Sequence, residues 1–347
     1  MNRRNKIAVI LVVLFSVLTF WSVVHNRRAT IRESLRDFAV ADTGSITKIF
    51  LADRDNHQVT LQKVKPGRWK VNDKYIAMNE QINTLLFTIK ALEVKEPVGK
   101  KARENVTKQL AAKSVKIEIY NGEELIKVYY VGGDTQDHLG TYMLLTDEET
   151  GENSSIPFVM YIPGFDGFLN TRYMTTEADW RDRLVFDVMP TQIRSVKVEF
   201  TETPEASFEL SVIGRNNFQL KQLKANTPAP FDTMAVKQYL SYYNNINYEA
   251  LLNDVYKKIT IDSIVRTPCA YSIEVTDTSG HKTFVKMYHR PAQPDEVDEK
   301  TGEPRKYDID RLFAFINDDR DFVLIQYYSF GKLLQPVEYF RGRKGRG

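Results

Sequence analysis

Ser45-Ile46-Thr47-Lys48-Ile49-Phe50 opens a strand, and Gln192-Ile193-Arg194-Ser195-Val196-Lys197 opens another of the same kind. The two openings lead into the same succession of segments. Val59-Thr60-Leu61-Gln62-Lys63-Val64 alternates, and Pro66-Gly67 turns into Arg68-Trp69-Lys70-Val71. Phe208-Glu209-Leu210-Ser211-Val212 alternates, and Gly214-Arg215-Asn216 turns into Asn217-Phe218-Gln219-Leu220. A two-residue period closed by tight turns indicates antiparallel strands with one buried face. Trp69 and Phe218 hold equivalent places.

A helix is expected next in each copy. Ile82, Leu85, Leu86 and Ile89 fall at i, i+3, i+4 and i+7, and Val236, Tyr239, Leu240 and Tyr243 repeat that spacing 154 residues later. Asn79 and either Asp232 or Thr233 supply N-caps. Four such side chains, fully buried, contribute about 6–12 kcal/mol before ordering costs, so each stripe needs a sheet to cover it. Val115–Tyr120, Asn121-Gly122 and Leu125–Val131 then read as a hairpin, matched by Tyr271–Val275, Ser279-Gly280 and Thr283–Tyr288. Phe158–Tyr161 and Phe322–Ile325 close the copies, each succeeded by aromatic residues. The copies differ in their loops. Gly132–Gly140 is short where Pro291–Lys306 is long and acidic, and Thr146–Ser155 is extra in the first.

The 347 residues make room for about two domains. The net charge of +3 hides an uneven distribution. Residues 1–36 carry seven Arg and Lys against Glu33, the tail 341–347 carries four more, and the body between is −7. An acidic body argues against nucleic-acid binding, which needs clustered cations. The single cysteine, Cys269, excludes an intrachain disulfide and reads as a buried structural thiol.

Ile7–Val24 is apolar apart from Ser16, Thr19 and Ser22. At about 1.5 Å per residue it spans about 27 Å, near the thickness of a hydrocarbon core. Ile7, Leu11, Phe15, Leu18, Trp21 and Val24 are therefore expected to form an uncleaved membrane anchor, with Trp21 interfacial. His25-Asn26-Arg27-Arg28 after the run does not resemble a signal-peptide cleavage site.

Chemistry-bearing patterns are sparse. The sequence holds no Gly-Lys-Ser/Thr phosphate loop, no Gly-x-Ser-x-Gly elbow and no His-Glu-x-x-His. Asp53-Arg54-Asp55-Asn56-His57 has oxygen ligands at alternate positions but reads as a solvated hairpin tip. Asp134, Asp137 and His138 could do acid–base work, although the segment has the composition of a loop. Asn317-Asp318-Asp319-Arg320-Asp321 reads as another turn. Tyr239, Tyr242, Tyr243 and Tyr248 could form a recognition platform, but half of them lie on the core face. Trp180, Arg181, Asp182 and Arg183 join the copies: Trp180 is expected to staple the junction, and the Arg residues could clamp an anion.

Several of these segments together resemble a bacterial envelope family, domain of unknown function 4340. They are Ile46-Thr47-Lys48-Ile49, Gly67-Arg68-Trp69-Lys70-Val71, Leu85-Leu86, Lys116-Ile117-Glu118-Ile119, Val131-Gly132-Gly133, Thr141-Tyr142 and Trp180-Arg181-Asp182-Arg183. The likeness covers most of 45–200, and residue usage is similar to Bacteroidetes-type members. It implies a membrane-anchored envelope protein, some of whose relatives accompany ABC-type export or gliding-associated components. It carries over no catalytic residues.

The expected fold is α+β: two tandem, similar units of mainly antiparallel sheet, each packed by an amphipathic helix and preceded by one transmembrane helix. The boundaries are 1–44 for the anchor and juxtamembrane segment, 45–176 and 177–340 for the repeats, and 341–347 for a basic tail. The expected function is a non-enzymatic binding or scaffold module on the periplasmic side of the inner membrane, with protein partners in an envelope transport or gliding-type complex. No cofactor or metal and no nucleic acid is expected. The alternatives are a glycan-acting hydrolase or transferase using Asp134 and Asp137, and a small-ligand sensor.

Overall fold

The computed structural model describes residues 36–147, 150–317 and 319–341, together with Ser16. The chain divides into two compact units between Asp182 and Arg183.

Unit 1 is built on one nine-stranded antiparallel sheet. Its elements are β1 (Lys48–Ala52), β2 (Gln58–Lys65), β3 (Arg68–Val71), β4 (Tyr75–Ile76), α1 (Asn79–Ala91), β5 (Glu93–Pro97), α2 (Lys100–Ala112), β6 (Val115–Asn121), β7 (Glu124–Asp134), β8 (Thr141–Thr146) and β9 (Phe158–Tyr161). The spatial order is β4-β3-β2-β1-β6-β7-β8-β9-β5. The chain runs from one edge strand through α1 to the opposite edge, then back through α2 to the centre. Pro97 and the charges of Glu93, Lys95 and Glu96 make the β5 edge a poor template for further pairing.

Alternation along β7, β8 and β9 assigns the two sheet faces. Tyr129, Val131, Met143, Leu145, Phe158 and Met160 enter the main core with Ile82, Leu85 and Ile89 of α1, and with Trp69 and Trp180. Leu144 and Val159, one residue out of phase, pack on Val106 and Leu110 of α2. A helix therefore lies on each face. Asn79 does not cap α1: the N-cap is Met78, whose side chain makes no capping bond.

Unit 2 begins with β10 (Leu184–Phe186), which pairs with β15 (Ile246–Asn247). Its large sheet holds β11 (Ile193–Phe200), β12 (Phe208–Gly214), β13 (Asn217–Gln222), β14 (Thr227–Pro228), β16 (Ala250–Leu251), β17 (Tyr271–Asp277), β18 (Lys282–Pro291), β19 (Tyr307–Ile316) and β20 (Asp321–Gln326). The spatial order, β14-β13-β12-β11-β17-β18-β19-β20-β16, repeats that of unit 1 strand for strand. On one face α3 (Thr233–Leu240) buries Val236, Tyr239 and Leu240, and Tyr243 sits in the 3-10 turn just beyond. Asp232 caps α3, its carboxylate accepting from the Met234 N–H at 2.7 Å and the Ala235 N–H at 3.0 Å. On the other face α4 (Lys258–Val265) lies over Tyr288, Phe313, Phe315 and Phe322.

The expected membrane helix is corrected. No helix among the described residues is long and apolar enough to cross a membrane. The longest, α1 and α2, have 13 residues each, about 20 Å at about 1.5 Å per residue against about 30 Å of hydrocarbon. The second also carries Lys100, Lys101, Arg103, Glu104 and Lys108. Ile7, Leu11, Phe15, Leu18, Trp21 and Val24 lie outside the described residues, as does the tail after Arg341. The described residues accordingly form two mainly antiparallel sheet units in which no helix is long and apolar enough to cross a membrane, and they give the expected inner-membrane, single-pass location no support.

Candidate functional site

Register fixes which residues of the two units are equivalent. In unit 1 a buried row crosses the sheet as Val71, Leu61, Ile49 and Ile119, and in unit 2 the same row is Leu220, Leu210, Val196 and Val275. Ile117 faces Tyr129, and Ile273 faces Val285. Counting onward, Gly132 corresponds to Tyr288 and Gly133 to His289. Counting back along β6 and β17, Ser114 corresponds to Ala270. In both units these positions border a cleft beneath the outer helix, at the end of the first central strand.

In unit 1 the helix can approach because the strand has no side chain there. A Cβ on Gly132 would stand 2.6 Å from Leu110 Cδ2 and 3.2 Å from the Tyr142 carbonyl oxygen. The cleft, of about 810 Å³, is bordered by the Asp53–Asp55 loop, the C-terminus of α2, Ser114, Gly133 and Asn170. Asp53 is fully engaged by its own loop and by Thr175. Its carboxylate accepts from the backbone N–H groups of Asp55 (2.9 Å) and His57 (3.0 Å), and from Thr175 Oγ1 (2.7 Å), while His57 Nδ1 lies at 2.9 Å. Burial opposes ionisation of Asp53, but these bonds outweigh it and hold its carboxyl below the usual range.

In unit 2, Tyr288 fills the place of Gly132 and α4 buries no side chain completely. The cleft, of about 710 Å³, is walled by aromatic rings. Tyr256 meets Phe313 and Phe322 edge-on at 5.6 Å each. The His289 ring stacks on Tyr307, centroids 4.4 Å apart and 17° from parallel, with Tyr271 edge-on at 5.8 Å. Thr201, Thr260, Ser263 and Thr267 also line it; the Thr201 and Thr267 hydroxyls donate to the Cys269 and Ile264 carbonyls at 2.5 and 2.7 Å and keep their oxygens as acceptors. Arg290 is neutralised by the buried carboxylate of Asp308, which also accepts the Asp310 and Arg311 N–H groups at 2.8 and 3.0 Å. Cys269, expected to be a buried thiol, is only partly buried and lines the cleft. Burial pushes its thiol up from the usual range, which disfavours the thiolate. Glu202 lies 3.6 Å from His289 Nε2 and contributes the cleft's carboxylate.

The residues singled out from the sequence sit elsewhere. Trp180 is completely buried in unit 1, its Nε1–H donating to the Met174 carbonyl at 2.9 Å. Arg181 is 5% exposed, with its guanidinium 3.6 Å above the Tyr75 ring. The Asp182 N–H donates to the Ile76 carbonyl, and in unit 2 Arg183 Nη1 donates to that of Glu249 at 2.9 Å. Trp180 and Arg181 thus close a core rather than present a surface. Asp137 and His138 stand exposed on the β7–β8 turn, where Asp137 accepts from the Thr135 hydroxyl and the Leu139 N–H, and neither these residues nor Asp134 lines either of the two clefts. Tyr239 and Tyr243 are buried, their hydroxyls 2.6 Å apart. Asn317 and Asp319 have left-handed φ of 53° and 63°, and Asp318 lies outside the described residues. Among the described residues no group of three or more His, Cys, Asp or Glu is placed to hold a metal.

The cleft residues Tyr288, His289 and Tyr307 were not singled out from the sequence. The available signal was the Gly-Gly to Tyr-His exchange at the end of otherwise matching hairpins. No protein-family model matches the chain, and no curated protein is detectably similar to it.

Proposed function

We propose that the protein is a ligand-binding module rather than a catalyst, and that unit 2 takes a neutral, hydroxyl-bearing ring compound in the cleft under α4. The aromatic-walled cleft carries this reading. Stacked His289 and Tyr307 offer a flat apolar face, and the threonine and serine hydroxyls offer hydrogen bonds around it. The nearby cation is already paired with Asp308, so the cleft has little to attract an anion. Burial disfavours the Cys269 thiolate, and His289 is turned to Glu202 and Tyr307, which is not the arrangement of an activated thiol. Saccharides and nucleosides share the required chemistry. Calorimetric titration of the full chain with a panel of both separates them. Binding is expected for one group, weakened about tenfold by Tyr307→Ala, whose ring is partly exposed and outside the core. Absence of binding across the panel, or binding unaffected by Tyr307→Ala, would refute the reading.

A further inference from the structure

Ser114 is 5% exposed, yet its Oγ has no hydrogen-bond partner, and Asn170 Oδ1 is likewise buried without one. Both residues line the same cleft, that of unit 1. Leaving a buried polar atom unsatisfied costs about 1–3 kcal/mol, and such atoms are rare in folded proteins. The fold does not require a hydroxyl at this position. Unit 2 builds the same sheet with Ala270, which is also buried, in the place of Ser114.

The rest of the lining has a definite chemistry. Arg54 and Lys113 bring two cations. Asp53 is consumed by its own loop and Thr175, but Asp55 is exposed and makes no ion pair among the described residues. Arg54 is exposed, with its guanidinium 5.6 Å from the centre of the Tyr130 ring, and a guanidinium can meet a carboxylate with two parallel hydrogen bonds. The floor includes Gly133, at a register shift in the pairing of β7 with β8. A Cβ at Gly133 would meet nothing within 4 Å, and its φ is not in the left-handed region, so neither packing nor backbone strain requires glycine there. Glycine without a packing or conformational need marks a place where a ligand can approach the backbone.

We propose that the unit 1 cleft is a second binding site, for a zwitterionic ligand of amino-acid or dipeptide size. The carboxylate is met by Arg54, Lys113 and the Ser114 hydroxyl, and the ammonium by Asp55 and Asn170 Oδ1. Both signs of charge and both orphaned atoms are then used. Neither a simple anion nor a neutral ring compound uses all of them.

The test is calorimetric titration of the full chain with L-glutamine and with alanylalanine. N-acetylalanine amide serves as the charge-free control and inorganic phosphate as the anion control. The zwitterions are expected to bind and the controls not to. Gly133→Val, which fills the open space above the strand, is expected to weaken binding at least tenfold. Ser114→Ala is expected to weaken it about threefold to tenfold without lowering the melting temperature, since it deletes an unsatisfied atom; this variant keeps the test valid if Gly133→Val folds poorly. Tyr307→Ala in unit 2 is expected to leave zwitterion affinity unchanged, which separates failure of this site from failure of the other. No zwitterion binding at millimolar concentration, equal binding of either control, or full affinity in Ser114→Ala would overturn the proposal.

Discussion

Unit 1 and unit 2 share a strand order and differ in what stands at the end of one hairpin. Gly132 lets α2 settle on the sheet and Gly133 borders the polar cleft beside it, whereas Tyr288 and His289 place aromatic rings beneath α4. The fold is set by long buried rows such as Val71, Leu61, Ile49 and Ile119, which are matched by Leu220, Leu210, Val196 and Val275. Ligand chemistry is free to vary where those rows stop. A duplicated scaffold can in this way carry two different sites on one framework.

Exchanging the differing residues between the units should disturb both. The largest effect is expected for Tyr288→Gly, which empties a position packed on Phe315 at 5.5 Å. A loss of about 3–5 kcal/mol is expected, read as a lowered denaturation midpoint for unit 2. The reverse exchange, Gly132→Tyr, drives a side chain into Leu110 and should cost about 1–3 kcal/mol in unit 1. If either exchange is neutral, these residues do not set the spacing between outer helix and sheet.

Each unit also buries a tyrosine pair, and the two pairs differ in geometry. Tyr129 and Tyr173 have hydroxyls 3.2 Å apart, whereas Tyr239 and Tyr243 are 2.6 Å apart, with Tyr239 also donating to the Leu333 carbonyl at 2.8 Å. Burial raises the pKa of all four, so the folded state holds their protons more tightly than the unfolded state. Their contribution is fully present below about pH 10, the unfolded value, and is lost as pH rises above it. Alkaline titration monitored by circular dichroism should show a flat region to about pH 10 and unfolding beyond. Tyr243→Phe should cost about 1 kcal/mol in unit 2. Unchanged stability at pH 11 would contradict the burial of these rings.

The smallest effect is expected at the β7–β8 turn. Asp137 is held below the usual carboxylate range by the Thr135 hydroxyl and the Leu139 N–H, and it is exposed. Asp137→Asn should leave both the melting temperature and ligand affinity where they were. Loss of binding in this variant would make the turn part of a site.

Much of the architecture was legible because it is periodic. The alternation at Val59–Val64 and the stripe Ile82, Leu85, Leu86 and Ile89 each report a buried face directly. The outer helices left no such trace. In α2 only Val106 and Leu110 are buried, amid Lys100, Lys101, Arg103, Glu104 and Lys108, which is too little apolar surface for a stripe. Trp180 read as a junction because it lies between the copies in sequence, while its burial in unit 1 depends on partners near Met78 and Met174, distant or local, that spacing does not reveal. The clefts were hidden for a related reason. Ser114, Gly133 and Asn170 come together only through strand register, and their chemistry is visible only after the two hairpins are aligned.

The most direct test of the central claim uses Cys269, the chain's single cysteine, as a reporter inside the unit 2 cleft. Its rate of alkylation by iodoacetamide is measured at fixed pH with increasing concentrations of the saccharide or nucleoside panel. Saturable slowing by one ligand class, absent in Tyr307→Ala, is the predicted result. An alkylation rate independent of every ligand, while the protein remains folded, would contradict it.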